Sequence, residues 1–114
     1  MIPVRGEIIK VNLNPTQGRE QQGNARPCIV ISNTEYSAKR KGIVILIPIT
    51  STIKPEVAMM FALPETSNIN GSAIVEQVRT VDLKVRWWKT TGEILPRQWV
   101  DDAVSLLSSI FQAE

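Results

Sequence analysis

Seven consecutive apolar residues, Ile43-Val44-Ile45-Leu46-Ile47-Pro48-Ile49, leave little choice of structure over 43–49. A run this short and this rich in β-branched side chains is a strand, and the lack of polar alternation means that both of its faces are buried. Residues 27–32 carry a second run of the same kind. The two are best taken as central strands buried on both faces. With 114 residues, 43% of them hydrophobic, the chain can build one core without disulfide or metal support, and a single domain over 1–114 is expected.

The remaining segments supply that cover. Residues 6–13 alternate, with Ile9, Val11 and Leu13 apolar, which predicts a half-buried strand ending at Asn14-Pro15. Residues 14–25 have no apolar periodicity and contain two glycines, so they read as a loop of about twelve residues, a length that in compact domains usually serves function. Lys39-Arg40-Lys41-Gly42 reads as a basic turn. Residues 56–63 and 72–78 are strand candidates on either side of the turn-rich stretch 64–71. Residues 81–88 read as a strand followed by a turn at 89–92. Near the C-terminus the period changes: Trp99, Val100, Ala103, Val104, Leu106, Leu107, Ile110 and Phe111 fall on one helical face, with Pro96 suited to the first turn. Five to seven short strands and one terminal helix predict a mainly β fold, a small barrel closed or nearly so, with the helix packed on it.

Composition removes whole classes of chemistry. Histidine is absent and Cys28 is the only cysteine, which excludes disulfide frameworks, Ser-His triads, paired-histidine ribonuclease chemistry and structural zinc. Cys28 lies in an apolar run and is expected to behave as a small hydrophobe. No cofactor or metal is expected. No stretch approaches the roughly 18 apolar residues of a membrane span, and a cytoplasmic protein with no membrane association is expected. The net charge of +2 is too small to imply a polyanion by itself, but it is unevenly placed. Residues 1–42 carry seven Lys or Arg against three Glu, and the remainder six basic against eight acidic residues. Such asymmetry suits a polyanion on one face, and it is equally often solvated surface.

Five blocks occur in order along the chain: Arg5-Gly6-Glu7-Ile8; Asn14-Pro15-Thr16-Gln17-Gly18-Arg19-Glu20-Gln21; Arg26-Pro27-Cys28-Ile29-Val30-Ile31-Ser32-Asn33; Pro48-Ile49-Thr50-Ser51; and Glu76-Gln77-Val78-Arg79-Thr80-Val81-Asp82. Together with Gly92-Glu93-Ile94-Leu95 they are spread along the chain from residue 5 to residue 95, and in this order they resemble the signature blocks of the MazF/PemK toxins. The resemblance implies an SH3-like or Kid-like barrel and a homodimer. It also implies ribosome-independent, sequence-specific cleavage of single-stranded mRNA, and inhibition by a MazE-like antitoxin whose acidic, disordered C-terminal segment covers the basic groove.

Such chemistry needs neither histidine nor metal. RNA carries its own nucleophile, the 2′-hydroxyl, and positioned donors suffice to align it and to stabilise the charge that develops on phosphorus. Arg26 is the natural donor, because its guanidinium is a planar fork that stays protonated; a lone arginine is about as often half of a surface ion pair. Thr50 ends the 43–49 strand and Ser51 follows it. By itself the pair reads as a turn or cap, and it is the resemblance that implies a catalytic Thr50 partnered with Arg26. Arginine is a poor proton acceptor, so Glu20, aligned with an acidic position implicated in some members, is the candidate general base; the spacing from Glu20 to Arg26 is one residue longer than in some relatives. Arg19, Gln21 and Ser51 are expected to bind RNA. Gln77 and Arg79 are spaced to share one face of a strand, available to base edges and phosphate, or simply to form its polar face. Trp87 and Trp88 should point to opposite faces, the outward ring serving an unpaired base or, more often, an interface. Trp99 is expected to pack only. The competing readings are a noncatalytic CcdB-like gyrase inhibitor on the same barrel, and an SH3-like peptide module, whose groove would need more exposed aromatics than this chain has.

Overall fold

The computed structural model describes residues 1–14, 25–52, 56 and 59–114. In chain order it contains β1 (Glu7–Asn12), β2 (Ala25–Val30), α1 (Thr34–Lys39), β3 (Ile43–Thr50), β4 (Met60–Ala62), β5 (Ser72–Ile74), a 3-10 turn (Val75–Gln77), β6 (Arg79–Asp82), β7 (Trp88–Ile94) and α2 (Arg97–Ser109). Among the described residues the strand pairings are all antiparallel.

β3 is the hub, as its apolar run requires. One edge pairs with β2, and the other pairs with β5 near its end and with β6 near its start. The resulting path β4-β5-β3-β2-β1-β7 curls into a barrel-like sheet. Among the described residues the ladder does not close, leaving β4 and β7 at its two ends. Both faces are covered. On one, Ile8, Ile29, Ile47 and Ile49 pack with Leu63, Val75 and the α2 residues Trp99, Val100 and Ala103; on the other, Ile9, Val11, Cys28, Val30, Val44, Leu46, Val81 and Leu83 form a second cluster. β1 is therefore buried on both faces rather than half-buried, since Ile8 and Ile9 are both inaccessible. Trp99 packs as expected: its ring stacks on Phe61 with centroids 5.0 Å apart, and its indole N–H donates to the Ala62 carbonyl at 2.8 Å. An ion pair between Arg5 and Asp101, 2.8 Å, ties the chain ahead of β1 to α2.

Several local expectations are corrected. The segment ending in the expected basic turn contains α1, with Lys39 as its last residue. Thr34-Glu35-Tyr36-Ser37-Ala38-Lys39 has no apolar stripe to signal a helix; its start is set by the Asn33 side chain, which accepts from the Tyr36 N–H at 2.8 Å. The strand expected over 72–78 stops at Ile74. Moving from Ile49 back to Leu46 on β3 advances the partner from Ala73 to Arg79, six positions for three, and the 3-10 turn absorbs the three extra residues. The assignment of 81–88 as strand and 89–92 as turn is reversed: β6 ends at Asp82, a turn follows, and Trp88–Ile94 form the strand. Glycine and threonine at 90–92 suggested a turn, but pairing with β1 outweighs their local preference. Of the strand expected over 56–63, Met60–Ala62 is extended, and residues 57 and 58 lie outside the described residues.

Candidate active site

β2 and β3 pair with Cys28 opposite Pro48. That pairing ends two residues before Arg26, second in β2, and two before Thr50, last in β3, where Thr50 pairs instead with Ser72 of β5. Arg26 lies opposite Val11 of β1, and Arg79, first in β6, lies opposite Leu46 of β3. Val11, Cys28 and Leu46 all belong to the second core cluster. Since cross-strand partners share a face and alternate residues along a strand return to it, Arg26, Thr50 and Arg79 fall on the same side of the sheet: Arg26 where β1 finishes and β2 begins, Thr50 at the end of β3, and Arg79 beside Leu46 midway along β3.

Electrostatics agree with this placement. Burial pushes the Cys28 thiol up to about 12, and the Arg26 and then the Arg79 guanidinium pull in the opposite direction, so both charges sit close to that sulfur. Desolvation wins because Cys28 has no exposed surface. The thiol should therefore resist alkylation by iodoacetamide at pH 8 in the folded protein and react at the usual rate in urea, read by mass spectrometry. The sign of the stability effect follows from the same shift. Above the unfolded thiol's pKa near 9 the unfolded chain loses its proton first, so this thiol's contribution falls as pH rises from 9 towards 12.

Arg26 and Arg79 are half-buried, and neither forms an ion pair with a described acid. The Thr50 hydroxyl oxygen accepts from the Thr52 N–H at 3.1 Å, which orients it within a turn. Its O–H has no acceptor among the described residues and remains free to donate. Ser51 is exposed immediately beyond. Gln77 closes the 3-10 turn and Arg79 begins β6, so the two are not alternate residues on one strand face as expected; the extra residues of the turn break that periodicity. Arg19, Glu20 and Gln21 lie outside the described residues. No group of three or more Cys, Asp and Glu side chains gathers among the described residues.

Two further residues shape the surroundings of Thr50. Ser72 is the β5 partner of Thr50. Gly71 presses its backbone against the same threonine: a Cβ there would lie 2.5 Å from the Thr50 carbonyl oxygen. Only the cross-strand register reveals either one.

The PemK-like, MazF-like toxins of type II toxin-antitoxin systems share a sequence pattern that matches residues 4–111. The chain belongs to this family. Among curated PemK/MazF relatives, the endoribonuclease toxin ChpB of Escherichia coli K12 is 31% identical over 111 residues, covering 95% of this chain and 93% of ChpB. The endoribonuclease PemK of Escherichia coli is 31% identical over 109 residues, 93% of this chain and 80% of PemK. Among solved structures, MazF of Deinococcus radiodurans superposes with a TM-score of 0.79 at 24% identity over 97% of both chains. A MazE-MazF crystal structure from the same organism gives 0.79 at 20% identity, covering 100% of this chain and 99% of the other. At that level of identity the likeness is one of fold, and the MazF/PemK-like barrel with its C-terminal helix is the architecture described above.

Proposed function

We infer that this chain is the endoribonuclease toxin of a type II toxin-antitoxin system, a single domain over 1–114 that cleaves single-stranded mRNA at specific sequences without a ribosome or a metal. The observation that carries the reading is the set Arg26, Arg79 and Thr50 on one face of the sheet: two guanidiniums and a hydroxyl donor, none with a described partner for its charge or its proton. Unspent donors of this kind match a phosphodiester whose negative charge increases as the reaction proceeds.

In the mechanism, the 2′-hydroxyl attacks the adjacent phosphorus and its proton passes to a base, which we assign to Glu20. The bond to the 5′-oxygen breaks, and that oxygen takes up a proton as it leaves. The products are a 2′,3′-cyclic phosphate and a 5′-hydroxyl. Arg26 binds a nonbridging oxygen with two parallel N–H groups, and Thr50 donates to the same phosphate. Arg79, Ser51, Gln77, Arg19 and Gln21 hold the flanking nucleotides. Such pre-aligned intramolecular attack recovers several kcal/mol of the barrier from positioning alone.

A MazE-like antitoxin would lay an acidic, disordered segment over the same guanidiniums and exclude RNA. The toxin would act as a homodimer in the cytoplasm. Exposed Ile94, Ile110 and Phe111 support an apolar contact between copies, and no described helix is long and apolar enough to cross a membrane.

Incubation of the purified protein with a long single-stranded RNA in excess EDTA is expected to give discrete cuts with 2′,3′-cyclic or 3′-phosphate ends, mapped by primer extension and end-group analysis. RNA left intact over a wide range of enzyme concentration, or cleavage that requires added Mg²⁺, would defeat this assignment.

A further inference from the structure

On the opposite side of the same rim lies a cleft of about 290 Å³ lined by Lys10, Ala25, Trp87 and Lys89. The strand register explains its composition. Lys10 pairs directly with Lys89 across β1 and β7 and with Pro27 across β1 and β2. One row further along is Asn12, opposite Ala25, with its N–H donating to the Trp87 carbonyl at 3.0 Å. The guanidinium of Arg86 donates to the Asn12 carbonyl at 3.1 Å, fixing the backbone that carries Trp87. The intervening row, Arg26-Val11-Trp88, belongs to the other face, where Trp88 packs against the second core cluster.

Two lysines placed directly opposite each other on an antiparallel pair repel. Both are exposed, and neither forms an ion pair with a described acid. An anion between the two ammonium groups removes that repulsion. The half-buried indole beside them offers a flat apolar face. Two cations next to an aromatic ring match the chemistry of one nucleotide, phosphate on the lysines and base on the ring. An acidic peptide would use the lysines and leave the indole without a partner of its own kind, so the combination favours RNA.

We propose that Lys10, Lys89 and Trp87 form a nucleotide subsite for RNA flanking the cut. β2 and β7 are two strand spacings apart, roughly 10 Å within the sheet, and the two sites lie on opposite faces, so the subsite takes a flanking nucleotide and not the one at the cut. This rests on the ribonuclease reading above, and the test separates the two.

The measurements are fluorescence anisotropy with a labelled oligonucleotide that spans the mapped cut sequence and is 2′-deoxy at the cut, and steady-state cleavage of the corresponding RNA. The proteins are the parent, Lys10→Gln/Lys89→Gln, Trp87→Ala and Trp87→Phe. The double lysine variant is expected to bind about tenfold or more weakly at low salt, with a salt slope smaller by about one to two. Trp87→Ala should lose about five- to a hundredfold in affinity, the range for one stacked base, and Trp87→Phe should recover most of it. In cleavage, KM rises in the weakened variants while kcat at saturating RNA is retained. Unchanged affinity and KM in variants of a parent that cuts would overturn the subsite alone. A parent that neither binds nor cuts would overturn the ribonuclease reading and the subsite with it. Variants that lose only the binding of a polyglutamate peptide would identify a peptide site and reject the proposal.

Discussion

Arg26→Ala should lower kcat/KM for single-stranded RNA by about 10²- to 10³-fold, the usual cost of removing one preorganised donor from a site of developing charge. The unfolding midpoint should barely move. Arg26 is half-buried at the start of β2 and has no described ion-pair partner, so its loss leaves no buried group unpaired and falls within the roughly 0.5 kcal/mol typical of surface changes. Thr50→Ala should behave in the same way, because the Thr52 N–H that its hydroxyl serves is exposed and can turn to water. Arg26→Lys keeps the charge but loses the planar fork, and an intermediate rate is expected. Cleavage at the parental rate by Arg26→Ala or Thr50→Ala would remove that residue from the mechanism, and a large fall in melting temperature would assign it a structural role instead.

Gly71→Ala is expected to damage stability and activity together. Gly71 has φ +146, and its added Cβ would meet the Thr50 carbonyl oxygen at 2.5 Å and the Ile49 side chain at 3.2 Å. The obstacle is the backbone of the central strand, which cannot swing aside as a flexible side chain would. Overpacking of this kind costs roughly 1–3 kcal/mol, and the positive φ adds about 1–2 kcal/mol for a residue with a Cβ. The melting temperature should fall by roughly 10 °C. The strand end that carries Thr50 must shift to relieve the contact, so cleavage should also fall. Gly92→Ala provides the comparison, since Gly92 has φ +83 but nothing within 4 Å of an added Cβ. It should lose only the backbone part of the cost and retain full cleavage. Equal losses in the two variants would show that conformation, and not contact with Thr50, explains the effect at Gly71.

Much of this site was legible as residue types and little of it as geometry. The absence of histidine and the lone cysteine confined the chemistry to donors and carboxylates, and the ordered blocks pointed to Arg26 and Thr50. That the two share a face follows from strand registers which no local signal encodes: pairing depends on which side chains find cover on each face, and a slip of one residue would turn Arg26 to the other face. The error over Gln77 and Arg79 has the same origin. Alternation predicts a shared face only while the strand is continuous, and the turn at Val75–Gln77 interrupts it. The Lys10–Lys89 pair was invisible for a related reason. The two are far apart in sequence, and the segment holding Lys89 has turn-like composition.

The apolar runs that must be buried strands, the amphipathic terminal helix, the exclusion of histidine chemistry and, through the ordered blocks, the family can all be read along the chain. Local composition and period suffice for these because each depends on a residue and its near neighbours. The pairing order around β3, the offset taken up between β5 and β6, the placement of Arg26, Arg79 and Thr50 on one face, and the cleft behind them emerge from the folded chain alone. These depend on contacts between segments distant in the chain, whose register is selected by simultaneous burial of two faces of one sheet.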